Sequence, residues 1–441
     1  MFKLLNSVGK DAHFVELIQK ASMAFILRVV GAALGFLLNV YIAKQLGANE
    51  YGLYVLAFTL VTVLCVFSRL GMDSVIVRNI AASKEKNEPT IINGTINAVL
   101  QIVALNSLII LFIYFFIGTP VIDGIFGKPV LTVVMDIMIL LLPLLAFIYV
   151  YSEALKGLRD ITGALVSQNI LVQGIALFSI MILGFYISVT IFYVVWVFVF
   201  SHFLALLYVW RRWIKKRPVS NAKLVSRKKL IVSGWPLLWA SAGGLVLAWS
   251  DTIVLGVFEE SDAIGVYSAA LKLAMLTSFL LTAVNTIAAP KFSALNTSNN
   301  LIGLAKLARQ SVALMSLLVL PVCLVLIIFP IELLSLFGTE FIAGENVLII
   351  LVVGQFFNVS SGSVMLLLIT CGHEHIVKNI MLGAAVINIV LNVILVQVMG
   401  IEGVALATAI STILWNGAGL MAVRKKIGFW TIPFTKYAKS V

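Results

Sequence analysis

Four charged side chains sit well inside long apolar stretches of this 441-residue chain: Arg28, Asp136, Asp251 and Lys272. A charge within a bilayer costs several kcal/mol unless it faces water or a partner, so such residues are candidates for an ion or substrate pathway. Arg28 lies roughly 9 Å into its stretch at 1.5 Å per residue. Its guanidinium fork fits two oxygens of a phosphate or carboxylate, which makes it a candidate substrate-binding residue; the alternative is snorkelling to the headgroups. Lys272 lies deeper, roughly 12 Å from the nearer end of its stretch, where snorkelling is harder, and it is the second substrate-binding candidate. Asp251, in the preceding stretch, is its expected partner. That pair reads either as a structural ion pair or as an ion-coupling site, where the carboxylate exchanges its partner for Na⁺ or H⁺. Asp136 follows Lys128 and Pro129 closely, and reads as a second coupling carboxylate or as a residue near the interface.

Neutral polar groups share these stretches: Asn39, Asn169, Gln173, Asn285, Gln355, Asn358, Asn388, Asn392 and Asn416. Interhelical hydrogen bonding accounts for most such amides. Asn39 and Asn285, on the stretches of Arg28 and Lys272, are the candidates for substrate contact. Pro236, in Gly234-Trp235-Pro236 and followed by Gly243-Gly244, offers a hinge or a static kink, because a missing N–H bends a helix. His373-Glu374-His375 is a weak metal signal, best read as a solvated turn. Cys65, Cys323 and Cys371 have no ligand spacing and suggest neither a disulfide framework nor a zinc site. No phosphate-binding glycine loop precedes a soluble domain, so no metal, nucleotide or other cofactor is expected beyond a coupling ion.

The elements that hold these residues follow from composition. Hydrophobic residues make up 61% of the chain and charged residues 11%, against roughly 25% charged in a soluble domain, which excludes a soluble globular protein. Spans of about 20 apolar residues fit near 22 to 43, 53 to 70, 91 to 118, 130 to 151, 163 to 184 and 187 to 210. They resume near 231 to 257, 264 to 288, 308 to 329, 344 to 371, 377 to 398 and 403 to 422. The expected fold is therefore an all-α polytopic membrane protein of about twelve transmembrane helices. The first twenty residues mix charges with apolar residues at helical spacing and read as a retained interfacial helix.

The formal net charge is +12. Of the 31 Lys and Arg residues, only Lys44 and Lys128 fall in the connections opposite the N-terminus, and only Arg28 and Lys272 well inside apolar stretches rather than at their ends. The remainder lie on the side of the N-terminus, so both termini are expected to be cytoplasmic. Topology and anionic headgroups account for the excess charge, and nucleic acid is not needed as a partner.

An internal repeat is visible. QLGANEYGLYVLAFTL at 45 to 60 resembles FEESDAIGVYSAALKL at 258 to 273, matching Gly52 and Tyr54 to Gly265 and Tyr267. Nearly the same spacing relates Gly157 to Gly372 and Gly184 to Gly400. The chain thus reads as two copies of a six-helix unit in parallel orientation, related by a pseudo-two-fold axis along the membrane normal. The expected organisation is an N-terminal bundle over 1–210 with its interfacial helix, a basic cytoplasmic linker over 211–230, and a C-terminal bundle over 231–441 with a basic tail.

The stretches LRVVGAALGFLLNVYIAKQLGANEYGLYVLAFTL, RLGMDSVIVRNIA, SGWPLLWASAGGLVLAWSDTIVLGVFEESDAIGVYSAALKLA and NTIAAPKFSAL together resemble the polysaccharide transporter family. These are the Wzx-type flippases of the multidrug/oligosaccharidyl-lipid/polysaccharide exporter superfamily. The resemblance covers nearly the whole chain. It implies two six-helix bundles in a V, and alternating-access transfer of an undecaprenyl-pyrophosphate-linked oligosaccharide, such as an O-antigen unit, from the cytoplasmic to the outer leaflet. It also implies residence in a bacterial inner membrane, contact with membrane lipids, and a polysaccharide polymerase and chain-length regulator as partners. The protein is then a transporter and not an enzyme. Two alternatives stand beside it in the same superfamily, a drug/cation antiporter and a peptidoglycan-precursor flippase. A membrane polymerase or ligase is the alternative of another class, disfavoured by outer connections that hold two Lys and no Arg or His.

If Arg28 binds a phosphate-bearing substrate, Arg28→Ala is expected to abolish surface-glycan export in a complementation assay while leaving membrane insertion intact. Full complementation would exclude the role.

Overall fold

A computed structural model describes residues 12–432. The start of the expected interfacial helix, residues 1–11, and the tail 433–441 with Lys436 and Lys439 lie outside the described residues. Among the described residues there is no strand. The helices are α1 (Ala12–Arg69), α2 (Met72–Glu85), α3 (Pro89–Ile113), α4 (Thr119–Phe126), α5 (Pro129–Met138), α6 (Leu141–Gly157), α7 (Ile161–Leu165), α8 (Val172–Tyr186) and α9 (Ile191–Lys216). They continue with α10 (Arg227–Phe258), α11 (Ser261–Ala274), α12 (Ser278–Thr297), α13 (Leu301–Ile328), α14 (Pro330–Ser335), α15 (Glu345–Ser360), α16 (Val364–Thr370) and α17 (Glu374–Lys426).

Eight helical segments among the described residues are long and apolar enough to cross a membrane, or nine if α5 and α6, bent by 42°, count as one. Where the sequence reads two spans with a connection, α1 and α17 are each a single helical run interrupted at one glycine. Gly47 has φ 72°, ψ 177° and Gly400 has φ 56°, ψ −134°. Side chains rarely tolerate either conformation, so glycine supplies the break. An ideal Cβ on Gly403 would strike the Leu395 carbonyl, which brings the two arms of α17 side by side. Pro236 lies exposed within α10, which runs helically from Arg227 to Phe258.

The chain divides into two compact units. One comprises Met1–Tyr41, Val61–Val121 and Val133–Trp239; the other comprises Ile42–Leu60, Ile122–Thr132 and Ala240–Val441. In the first, the basic stretch 211–230 is only partly a linker, since its beginning completes α9 and its end opens α10. The intervening residues are tied to the start of α3. Asn93 Nδ2 donates to the carbonyls of Pro218 (3.0 Å) and Ser220 (2.9 Å), and the Lys223 N–H donates to Thr90 O (2.9 Å). Arg69, at the end of the 53 to 70 stretch, is the last residue of α1 and only 8% exposed. It pairs with Asp73 at 2.5 Å and stacks 4.1 Å from the Tyr149 ring centroid, a cation–π contact that offsets its burial.

In the second unit the matched segments of the repeat meet each other. A Cβ on Gly52 would overlap the Ser261 carbonyl, and a Cβ on Gly265 would overlap the Ala48 carbonyl. Ala48 and Ser261 precede their glycines by the same step, so the contact is reciprocal: each copy offers a glycine to the other's helix start. Two polar clasps flank it. Glu340 Oε2 accepts from the Ala48 N–H at 2.7 Å, meeting the free amides of the helix that begins after Gly47. Lys128 Nζ donates to the carbonyls of Gly256 (2.9 Å) and Glu259 (2.8 Å) at the end of α10. Glu340 and Lys128 follow the third apolar stretch of their respective repeats, so corresponding loops cap helix ends of opposite polarity with opposite charges.

Overpacking costs about 1–3 kcal/mol, so Gly52→Val and Gly265→Val are each expected to lower the melting temperature in detergent by several degrees. Gly124→Ala, where an added Cβ meets nothing within 4 Å, is expected to leave it unchanged or raise it. Unchanged melting of both valine variants would show that the reciprocal contact is absent.

Candidate functional site

Asp251, on α10, is 4% exposed and lies in the second unit. Three helical segments supply its partners. Tyr267, six residues past Ser261 on α11, donates its hydroxyl to Asp251 Oδ2 at 2.6 Å. Thr408 Oγ1, on the second arm of α17, donates to the same oxygen at 2.7 Å. Asn392 Nδ2, on the first arm, donates to Oδ1 at 2.8 Å. The fold-back at Gly400 is what lets Asn392 and Thr408 face one carboxylate. Asn388 and Asn392 are four apart and share a helix face.

A second tier holds the first. Ser250 Oγ donates to Asn388 Oδ1 at 2.6 Å, Asn392 Nδ2 to the same oxygen at 3.2 Å, and Asn388 Nδ2 to Thr408 Oγ1 at 3.3 Å. Burying a carboxylate costs several kcal/mol, and hydrogen bonds to a charged group return about 1.5–3 kcal/mol each. Three strong donors therefore make an ionised Asp251 tolerable without a basic partner. One group is left over: the buried Asn392 Oδ1 has no hydrogen-bond partner. Unsatisfied buried acceptors are rare, and this one stands in a cluster whose other acceptors are carboxylate, amide and hydroxyl oxygens. Such a donor set suits a hard cation. Among the described residues no group of three or more His, Cys, Asp or Glu is placed to hold a metal.

The expected partnership of Asp251 with Lys272 is not formed. Lys272 follows Tyr267 by five residues, about 140° around the helix, so when Tyr267 faces Asp251 the lysine points elsewhere. Lys272 is exposed and makes no ion pair with a described residue. Asn285, on α12, is half-buried and its Oδ1 accepts from Ser363 Oγ. Nearby, Ser278 and Asn358 both donate to Gln355 Oε1, at 2.9 and 3.1 Å, and Asn416 donates to Asn358 Oδ1 at 3.0 Å.

In the first unit, Arg28 is exposed. Asn39 is half-buried and donates to the carbonyl of Gly35, four residues back, at 2.7 Å. Asp136 is exposed and accepts from the Tyr114 hydroxyl at 2.7 Å. Sequence reasoning read Asn388 and Asn392 as interhelical glue, Tyr267 only as a repeat match, and missed Thr408. The available signal was the asparagine pair at helical spacing in an otherwise apolar run, together with the donors that a buried carboxylate requires.

The fold is shared with solved membrane transporters. The chain superposes on the lipid II flippase MurJ in an inward closed conformation with a TM-score of 0.75 at 16% identity, covering 93% of this chain and 90% of that one. It superposes on an inward-facing multidrug resistance transporter of the MATE family with a TM-score of 0.71 at 15% identity, covering 91% and 98%. These likenesses define an all-α polytopic fold, the one those two transporters share. Residues 236–394 match the MatE family profile. Residues 17–296 match the profile described as polysaccharide biosynthesis protein, more than half of the chain, and the protein belongs to that family.

Among curated proteins, it is 28% identical over 173 residues to the probable low-salt glycan biosynthesis flippase Agl15 of Haloferax volcanii. That match spans 39% of this chain and 37% of the relative. It is 20% identical to the uncharacterized membrane protein MJ1068 of Methanocaldococcus jannaschii, over 88% of this chain and 80% of that one.

Proposed function

We propose that the protein is a flippase for a glycan unit carried on a polyprenyl phosphate or pyrophosphate, moving it from the cytoplasmic to the outer leaflet by alternating access. The undecaprenyl-pyrophosphate-linked O-antigen unit is the form of that substrate expected in a bacterial inner membrane. Membership of the polysaccharide biosynthesis family carries this reading, and a relative named as a glycan biosynthesis flippase supports it. Both termini face the cytoplasm, in keeping with the distribution of Lys and Arg. Arg28 in the first unit and Lys272 in the second are each exposed within an apolar helix, and each is a candidate cation for the phosphate. Asn39 and Asn285 lie on the same two stretches and offer amides to sugar hydroxyls, and Pro236 offers α10 a point of bending.

Transport is coupled to a cation at Asp251. The observation behind this step is the unpartnered Asn392 Oδ1 beside a carboxylate that has neutral donors only. A cation there would draw on Asp251, Asn388, Asn392 and Thr408, from α10 and both arms of α17. Binding would thus tie the two arms to α10, and release would free them, which is the link between ion occupancy and a change of conformation.

The second reading, a drug/cation antiporter, rests on the MatE match over 236–394. Expression in a strain lacking its own flippase separates the two. Restored surface glycan with a defined lipid-linked unit is the expected result. Failure with every unit, together with acquired drug resistance, would establish the antiporter instead.

Ion coupling is tested on the purified protein. A ligand that binds only the folded state at 100 times its dissociation constant stabilises by about 2.7 kcal/mol. Na⁺ is therefore expected to raise the melting temperature of the native chain relative to choline at equal ionic strength, and to leave Asp251→Asn unchanged. Melting of the native chain that is indifferent to Na⁺ and to pH would exclude coupling at this site.

A further inference from the structure

The inner end of α9 carries a cavity that the transport reading does not use. Leu204, Leu207, Tyr208, Arg211, Arg212 and Lys215 line about 360 Å³ of space. Beside it, with Leu207 common to both, lies an apolar trough of about 550 Å³ between α3, α6 and α9, walled by Leu100, Ala104, Phe147, Tyr151 and Trp210.

The charges in the cavity are unequal in what they are free to do. Arg212 is committed: Nε and Nη2 reach the two oxygens of Asp160 at 2.7 and 2.9 Å, and Nη1 reaches the Tyr208 hydroxyl at 3.3 Å. Burial works against the Asp160 charge, but the Arg212 fork and the Gly163 N–H outweigh it and hold the carboxyl below its ordinary range. Asp160 thereby neutralises Arg212. Arg211 and Lys215, four residues apart on one face, are exposed and make no ion pair with a described residue. That face runs from Leu204 and Leu207 to Arg211 and Lys215 at helical spacing, apolar toward the middle of the span and basic at its end. An amphiphile with a negative head has the same gradient.

The setting fixes the kind of amphiphile. Leu105, Leu108 and Phe203, large exposed apolar side chains, stand on the same helices as the trough, α3 and α9, both long and apolar enough to span. Trp210 marks the interface, where indole rings settle. Two free cations beside a trough sized for a hydrocarbon chain match one anionic phospholipid of the cytoplasmic leaflet, the leaflet in which such headgroups meet basic helix ends. We infer that the inner end of α9 binds an anionic phospholipid, its phosphate on Arg211 and Lys215 and one acyl chain in the trough between α3, α6 and α9. Bound there, the lipid bridges three helices of the first unit.

The test uses the full chain in detergent, with lipid retention read by native mass spectrometry. Phosphatidylglycerol is expected to stay bound and phosphatidylcholine to be lost. Arg211→Gln with Lys215→Gln is expected to reduce phosphatidylglycerol retention by at least about tenfold. Lys228→Gln with Lys229→Gln, the same charge change on exposed residues of α10, is expected to have no effect. Ala104→Phe, which fills the trough, is expected to reduce retention while the protein remains monodisperse with near-native melting. Equal loss in the two double variants would reduce the effect to general leaflet electrostatics and overturn the site. Equal retention of phosphatidylcholine, or displacement of phosphatidylglycerol by an equimolar polyprenyl phosphate, would overturn the assignment of the occupant.

Discussion

A carboxylate cannot be buried among apolar helices without donors, and Asp251 organises the second unit around that requirement. Its partners come from α11 and from both arms of α17, so three helical segments must converge on one side chain of α10. The demand reaches further back. Asn388 fixes Asn392 and Thr408, and Ser250 fixes Asn388. The glycine break that turns α17 on itself is part of the same solution, since a straight helix would place Thr408 about 24 Å from Asn392. The cluster is polar throughout yet holds no formal positive charge. Its tolerance for the anion rests on hydrogen-bond geometry, and that geometry is what a change in occupancy would disturb.

Much of the architecture was legible in the sequence because it follows from coarse quantities. Hydropathy set the class, and the even spacing of apolar stretches with Gly52, Tyr54, Gly265 and Tyr267 in register showed the repeat. The breaks at Gly47 and Gly400 were invisible as breaks, because a glycine that interrupts a helix and one that merely packs look alike in a sequence. The burial of Arg69 was invisible for a related reason. Charge counts place a residue along the chain, whereas its burial depends on Asp73 and Tyr149 presenting partners in space.

The site was legible only in part. Asp251 stood out because charge within an apolar run is costly wherever it lies. Its expected partner, Lys272, followed from proximity of stretches and the attraction of opposite charge. The fold chose the cheaper solution, several neutral donors in fixed positions, over a second buried ion whose desolvation would have had to be offset as well. Hydroxyl and amide groups carry little signal of their own in a sequence. Thr408 becomes informative only after the fold-back at Gly400 has brought it opposite Asp251.

The contact between Gly52 and Gly265 is reciprocal. Each glycine lies against the helix start that corresponds, in the other repeat, to its own. A surface that meets a copy of itself in this way is isologous, the hallmark of two identical subunits around a two-fold axis. The contact is therefore of the kind that two identical subunits make. The symmetry is partial: close backbone packing has glycine on both sides, while the loops after the third stretches present opposite charges, Lys128 and Glu340, to helix ends of opposite polarity.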